Sequence, residues 1–147
     1  MIVLDTTVLV YAVGVEHPLR DPCRAVIEAT SDGVLAATTT VEVIQEFAHV
    51  RSRRRGRADA ARVATAYSEL LAPLLVVDAD DLRAGLDLFD QAKDLGAFDC
   101  VLAAVAVGRG AGALVSADGA FGGVEGLRHV DPLTADLLQV LGERRRP

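Results

Sequence analysis

The sequence predicts an α/β fold of three layers, an α/β/α arrangement in which helices flank a central, mostly parallel sheet. Three observations lead there. Short apolar runs bounded by turn residues alternate with longer stretches of helical spacing, the order that repeated strand–helix units produce. The first of these runs, Ile2-Val3-Leu4-Asp5, is β-branched and apolar without alternation, as a strand buried on both faces is. Half of the residues (51%) are apolar, mostly Val, Ala and Leu, with only 4% aromatic, which suits small helices packed closely on a sheet. At 147 residues the chain fits one domain, residues 1–147, with one sizeable core.

The elements follow in order. Residues 2–5 form the first strand and 7–14 open a short helix or loop. His17-Pro18 leads into a helix through about residue 31, stopped by Asp32-Gly33. Val34-Leu35-Ala36-Ala37 is the second strand candidate, and Thr38, Thr39 and Thr40 offer N-caps for a helix reaching Arg55. Gly56 breaks that helix, and helical spacing resumes over Ala58–Leu71. After Pro73 the run Leu74-Leu75-Val76-Val77 reads as a strand, and Asp78 or Asp80 caps a helix over about 80–93. Residues 98–108 are almost wholly apolar and predict a buried helix. Ala113–Ser116 and Arg128–Val130 are the last strands, and Pro132-Leu133 begins a C-terminal segment.

Composition narrows the function. A net charge of −6 argues against a protein that coats nucleic acid generically. No apolar run reaches the roughly 18 residues of a membrane span, and the N-terminus lacks the marks of a secretory signal, so a cytoplasmic protein is expected. Cys23 and Cys100 have no CxxC partner and read as reduced thiols. His17, His49 and His129 lie far apart in sequence, which disfavours zinc.

Four acids stand at the ends of apolar runs: Asp5 in IVLDTTVLV, Glu46 in EVIQEFAHV, Asp99 in AFDCVLAAVAV and Asp118 in ALVSADGAF. Each has an ordinary explanation alone. Asp5 and Asp99 suit helix starts, and Asp118-Gly119 is a common turn pair. Glu46 competes with Glu42, one turn earlier. At about 100° per residue, Val43, Ile44, Phe47, Ala48 and Val50 share one apolar arc. Glu46 falls at its edge and Glu42 farther into the polar face, which makes Glu46 the better ligand and Glu42 at best a supporting one.

Together the four suggest one negative pocket beyond the carboxyl ends of the strands. Two carboxylates about 4 Å apart repel by roughly 1 kcal/mol in water and about 4 kcal/mol at an effective dielectric of 20. Such a pocket is relieved by protonation or by a cation, and all-oxygen donors favour Mg²⁺ or Mn²⁺. A cation there can activate water against a phosphodiester. Thr7 and Ser116 could add hydrogen bonds.

The chain resembles the PIN domain family, and within it the VapC-type toxins of bacterial toxin–antitoxin pairs. The resemblance rests on IVLDTTVL with Asp5, TVEVIQEF with Thr40 six residues before Glu46, FDCVLAAVA with Asp99, and LVSADGAF with Asp118. It spans almost the whole sequence. Ser116 stands where Thr is common in that family, and Thr7 where Ser is common. The resemblance implies a PIN-like fold and a metal-dependent endoribonuclease whose metal ligands and catalytic residues are Asp5, Glu46, Asp99 and Asp118. It further implies Mg²⁺ or Mn²⁺ as cofactor, an RNA substrate, a cognate VapB-type antitoxin and a homodimer.

The cations are unevenly spread. Arg51, Arg53, Arg54, Arg55, Arg57 and Arg62 fall within twelve positions, Arg144–Arg146 form a terminal cluster, and Lys93 is the only lysine. The first five would neutralise RNA phosphates if they border the acidic cleft. Alternatively they complement a helix C-terminus or meet a partner segment. Arg144–Arg146 read as a solvated tail. Two other functions compete with the nuclease. A noncatalytic RNA- or partner-binding module would bind RNA without cutting it. An aspartyl-phosphate phosphatase using Asp5 would want a carboxylate two residues on, where Thr7 stands.

Overall fold

A computed structural model describes residues 1–142, and Arg144–Arg146 lie outside the described residues. Four short strands form one parallel sheet: β1 (Ile2–Leu4), β2 (Ala37–Thr38), β3 (Ala113–Val115) and β4 (His129–Val130), in the order β2-β1-β3-β4. Val3 pairs with Thr38 on one side and Leu114 on the other, and Leu114 pairs with His129. Helices α1 (Thr6–Ala12), α2 (Arg20–Ser31), α3 (Val41–Arg55), α4 (Arg57–Leu70), α5 (Ala79–Gln91), α6 (Ala97–Gly108) and α7 (Asp136–Gly142) flank it. A 3-10 helix spans Gly119–Gly123. Because every strand runs the same way, the residues that follow them meet at one edge. Asp5 leaves β1 there, Thr39 and Thr40 leave β2, and Ser116 leaves β3.

The core lies between this sheet and its helices. Val3, Leu4, Val8, Leu9, Phe47, Leu114, Val115 and Phe121 are almost completely buried. Each such side chain contributes about 1.5–3 kcal/mol by leaving water. The Phe47 and Tyr67 rings meet edge to face at 5.0 Å, fastening α4 to α3. The Tyr67 hydroxyl donates to the Leu9 carbonyl at 3.2 Å, so its polar end is satisfied inside the core.

Local chemistry explains most boundaries. Thr40 caps α3, its hydroxyl accepting from the Val43 amide at 3.3 Å. Thr39 donates to the Leu4 carbonyl at 2.6 Å and Thr38 to Pro73 at 2.9 Å, tying β2 to its neighbours instead of capping. Gly56 ends α3 and opens α4 at φ +85°, a conformation that side chains disfavour. Asp78 and Asp81 form a reciprocal capping box on α5.

Two expected strands differ. Val34–Ala37 is displaced, and β2 begins only at Ala37. The amides of Val34 and Leu35 both turn back onto the Ala29 carbonyl at 2.9 Å, closing α2, and so cannot join a ladder. Leu74–Val77 is no strand: a single bridge links Leu75 to Thr40. Beyond it Val76 is 70% exposed and its carbonyl accepts from the Arg109 guanidinium, so the pairing goes no further. Among the described residues no helix is long and apolar enough to cross a membrane.

Candidate active site

Asp5 is held by both the sheet and α1. Its amide donates to the Val115 carbonyl at 3.0 Å, continuing the β1–β3 pairing by one residue. Its carboxylate caps α1 through the Thr7 amide at 3.4 Å. The Thr7 and Ser116 hydroxyls each donate to the same oxygen, Oδ2, at 2.7 Å. The amides of Asp118 and Ala117 in turn donate to Ser116 Oγ at 2.9 Å and Thr7 Oγ1 at 3.1 Å. One small network thus joins the carboxyl ends of β1 and β3 and fixes one face of Asp5.

Glu46 arrives from the middle of α3, where Thr6 Oγ1 donates a very short hydrogen bond to its Oε2. Thr6 is a residue that sequence reasoning passed over in favour of Thr7. Nothing in the pair Thr6-Thr7 separates their roles. The switch from strand to helix at Asp5 sends the two hydroxyls to different acids.

Asp99 sits in the first turn of α6 behind the cap residue Gly96, and no side-chain cap bond is formed there. The capping explanation therefore does not account for it. Burial, and then the charges of Asp5, Glu46 and Asp118, push its pKa up to about 6. Asp118 caps the 3-10 helix, Oδ1 accepting from the Ala120 amide at 2.9 Å. All four acids line one cleft of about 360 Å³ together with Thr6, Thr7, Tyr11 and Arg54.

The clustering is electrostatic before it is coordinative. Among the described residues no three His, Cys, Asp or Glu side chains stand close enough to make a ready-formed metal cluster. The donor set still suits a hard cation, because every donor is a carboxylate oxygen and their repulsion is registered in Asp99.

The arginine run is divided by the turn of α3. Arg54 follows Glu46 and Val50 at successive turns and lines the acidic cleft. Arg51 pairs with Asp59 at 2.5 Å and reaches the Val13 carbonyl at 3.4 Å, so it clamps α3 to α4 and to the end of α1. Arg53 and Arg57 border a separate cleft with His49 and Ser52. Arg55 lies with Arg51 and Arg54 beside an apolar groove floored by Val10, Val13 and Phe47. Glu42 does not line the acids' cleft and is not freely solvated: it borders a different cleft, and its Oε2 is buried with no hydrogen-bond partner among the described residues.

Comparison with known proteins places this geometry. Residues 2–127 match the PIN domain. Ribonuclease VapC7 of Mycobacterium tuberculosis is 52% identical over 148 aligned positions, covering 98% of this chain and all of that protein. Ribonuclease VapC23 of the same organism is 33% identical over 112, covering 75% of this chain and 86% of that one. Two solved structures share the fold at low identity. The first is M. tuberculosis VapC20, described as a sarcin–ricin-loop-cleaving toxin, with a TM-score of 0.71, 17% identity, and 87% and 99% of the two chains covered. The second is VapBC2 from Rickettsia felis bound to a promoter DNA fragment, with a TM-score of 0.69, 19% identity, and 89% and 98% covered.

Proposed function

Because the chain belongs to the PIN domain family, we propose that it is a divalent-metal-dependent endoribonuclease, the toxin of a toxin–antitoxin pair. The observation that carries this reading is the meeting of Asp5, Glu46, Asp99 and Asp118 on one cleft whose only lining cation among the described residues is Arg54. Full-length identity of 52% to a VapC ribonuclease supports the same activity.

Asp5, Glu46, Asp99 and Asp118 are the residues that would hold Mg²⁺ or Mn²⁺, since hard oxygen donors prefer those ions. When bound, the ion supplies positive charge beside the phosphodiester and makes water a better nucleophile. The chain's own residues prepare for it. Thr7 and Ser116 satisfy one oxygen of Asp5 and so orient the other. Thr6 does the same for Glu46. The guanidinium of Arg54 offers paired N–H donors to an RNA phosphate at the cleft. Arg53, Arg55 and Arg57 would meet phosphates farther along the strand, while Arg51 acts mainly through its clamp on Asp59.

In this reading the whole chain works as one PIN-like domain, cytoplasmic and homodimeric, restrained by a VapB-type antitoxin. The fold it shares with the VapBC2 complex supports that partner. The test is cleavage of a mixed cellular RNA pool by antitoxin-free protein, with Mg²⁺ or Mn²⁺, beside Asp5→Asn. Discrete fragments that require metal and vanish in the variant are expected. RNA binding without any cleavage would point instead to a noncatalytic module.

A further inference from the structure

The chain has two tyrosines, and they are placed differently. Tyr67 is buried, and its hydroxyl donates to the Leu9 carbonyl at 3.2 Å. Tyr11 is half-buried and lines the acidic cleft, and its hydroxyl makes no hydrogen bond among the described residues. A ring whose polar end stays wet can remain at a surface. Tyr11 follows Thr7 by one turn of α1, about 5–6 Å along the same face, and Thr7 holds Asp5. Against the Tyr11 ring lies His17, with centroids 4.6 Å apart and planes 30° from parallel. His17 is exposed, yet it is fixed. Its Nδ1 accepts from the Leu19 amide at 3.1 Å and its carbonyl from the Arg20 amide at 2.9 Å. Pro18, next in the chain, stiffens the same turn.

We propose that Tyr11, backed by His17, stacks an unpaired nucleobase of the RNA beside the phosphodiester held at the four acids. Among the described residues the cleft sets four carboxylates against one guanidinium, that of Arg54. It stays negative even with one divalent ion in it, so charge alone holds a phosphate chain there weakly. A base is neutral and has a π face, so stacking adds binding that the residual charge does not oppose. One helical turn from Thr7 is within reach of a base whose neighbouring phosphate lies at Asp5. The base must be splayed out of any helix to meet the ring. Tyr11 touches substrate in this arrangement, and His17 is a positioning residue that acts through it. The inference rests on the nuclease reading above and names what the same cleft recognises.

Short single-stranded RNAs carrying 2-aminopurine at each position in turn test it, because stacking quenches that base's fluorescence. They are bound in Mn²⁺ to Asp99→Asn protein, which should not cut them. Quenching is expected at one position, next to the bond that wild type cleaves. Adding Tyr11→Leu, which keeps an apolar side chain against the core, should abolish the quenching and weaken binding about tenfold, whereas Tyr11→Phe should stay within about twofold of its parent. His17→Ala, at an exposed site, should lose part of the quenching, and His17→Phe should restore it. In otherwise wild-type protein Tyr11→Leu should raise KM about tenfold and change kcat little. Absence of any quenched position would overturn the proposal, as would quenching and KM that ignore Tyr11→Leu. Variants that lower the melting temperature alone would make the pair a fastening of the loop and overturn it too. Quenching is read without cleavage, so a wild type that cuts no RNA would sink the nuclease reading while the stacking is still decided.

Discussion

Ser116 Oγ donates to Asp5 Oδ2 at 2.7 Å, from the end of β3 to the end of β1, 111 residues apart in sequence. The parallel register Leu4–Val115 makes the two residues neighbours. Thr7 Oγ1 reaches the same oxygen at 2.7 Å and lies 3.4 Å from Ser116 Oγ. Two hydroxyl donors on one oxygen leave the carboxylate little freedom to rotate, and an acid that must coordinate an ion benefits from that restraint.

Removing one of these donors should impair the site without disturbing the fold. Ser116→Ala is expected to weaken Mn²⁺ binding and cleavage about tenfold, with Thr7 still holding Asp5. Adding Thr7→Val should deepen the loss toward about 100-fold. Metal titration and initial cleavage rates measure both effects. Full activity in the double variant would mean that the hydroxyls do not orient Asp5.

Thr6→Val separates the residue that sequence reasoning passed over from the one it named. It removes the donor on Glu46 while leaving the Asp5 network intact. A fall in cleavage of about 10- to 100-fold is expected, comparable with loss of an outer-shell partner in other metal sites. If Thr6→Val cleaves RNA as wild type does, Glu46 needs no such support.

Asp5 and Asp118 were legible because each follows an apolar strand, and a parallel sheet delivers strand ends to one edge. Glu46 was legible from its place beside the apolar arc of α3, and Asp99 from the apolar helix it opens. Three limits on that legibility have physical causes. Leu74–Val77 has a strand's composition, but composition does not reveal that its pairing stops at the Leu75–Thr40 bridge and that the Val76 carbonyl is taken by the Arg109 guanidinium. Val34 and Leu35 look like a strand until their amides are spent on closing α2. The arginine run looks like one patch, yet each residue turns about 100° from the last, which sends Arg54 to the cleft and Arg51 to Asp59.

Asp99 makes the stability of the metal-free protein depend on pH in a definite direction. Its folded pKa is about 6 against an ordinary 3.8, so between these values the folded protein holds a proton that the unfolded chain has released. The resulting stabilisation is complete below about 3.8 and is lost as pH rises through about 6. Asp99→Asn removes the ionisation. In chelator it should melt several degrees above wild type at neutral pH, close to it in acid, and cleave no RNA. Scanning calorimetry of the pair across pH isolates this effect, and a neutral-pH melting point below wild type would contradict it.

Gly85→Ala tests the α5–α6 contact. The added Cβ would lie 2.6 Å from Val101 Cα and Cγ2 and 2.9 Å from its amide nitrogen, and two of those three atoms are backbone. Backbone cannot swing aside as a side-chain tip can, so the helices must separate. A loss of about 1–3 kcal/mol in urea unfolding is expected. An unchanged midpoint would mean that α5 can shift freely against α6.

Arg54 and Arg51 make a matched pair because they share a helix and differ in what they meet. Arg54 lines the acidic cleft, whereas Arg51 is held by Asp59 and the Val13 carbonyl. If Arg54 contacts one RNA phosphate, Arg54→Ala should raise KM while changing kcat little, as loss of uniform binding does. It should also flatten the dependence of log affinity on log salt by about 0.7, the share of one phosphate on a single strand. Arg51→Ala should leave that slope alone and lower the melting temperature instead, because it releases α4 from α3. Binding of a short RNA across a salt series, with melting curves of the same variants, measures both. Equal slopes for wild type and Arg54→Ala would remove Arg54 from the RNA path without touching the case for the four acids.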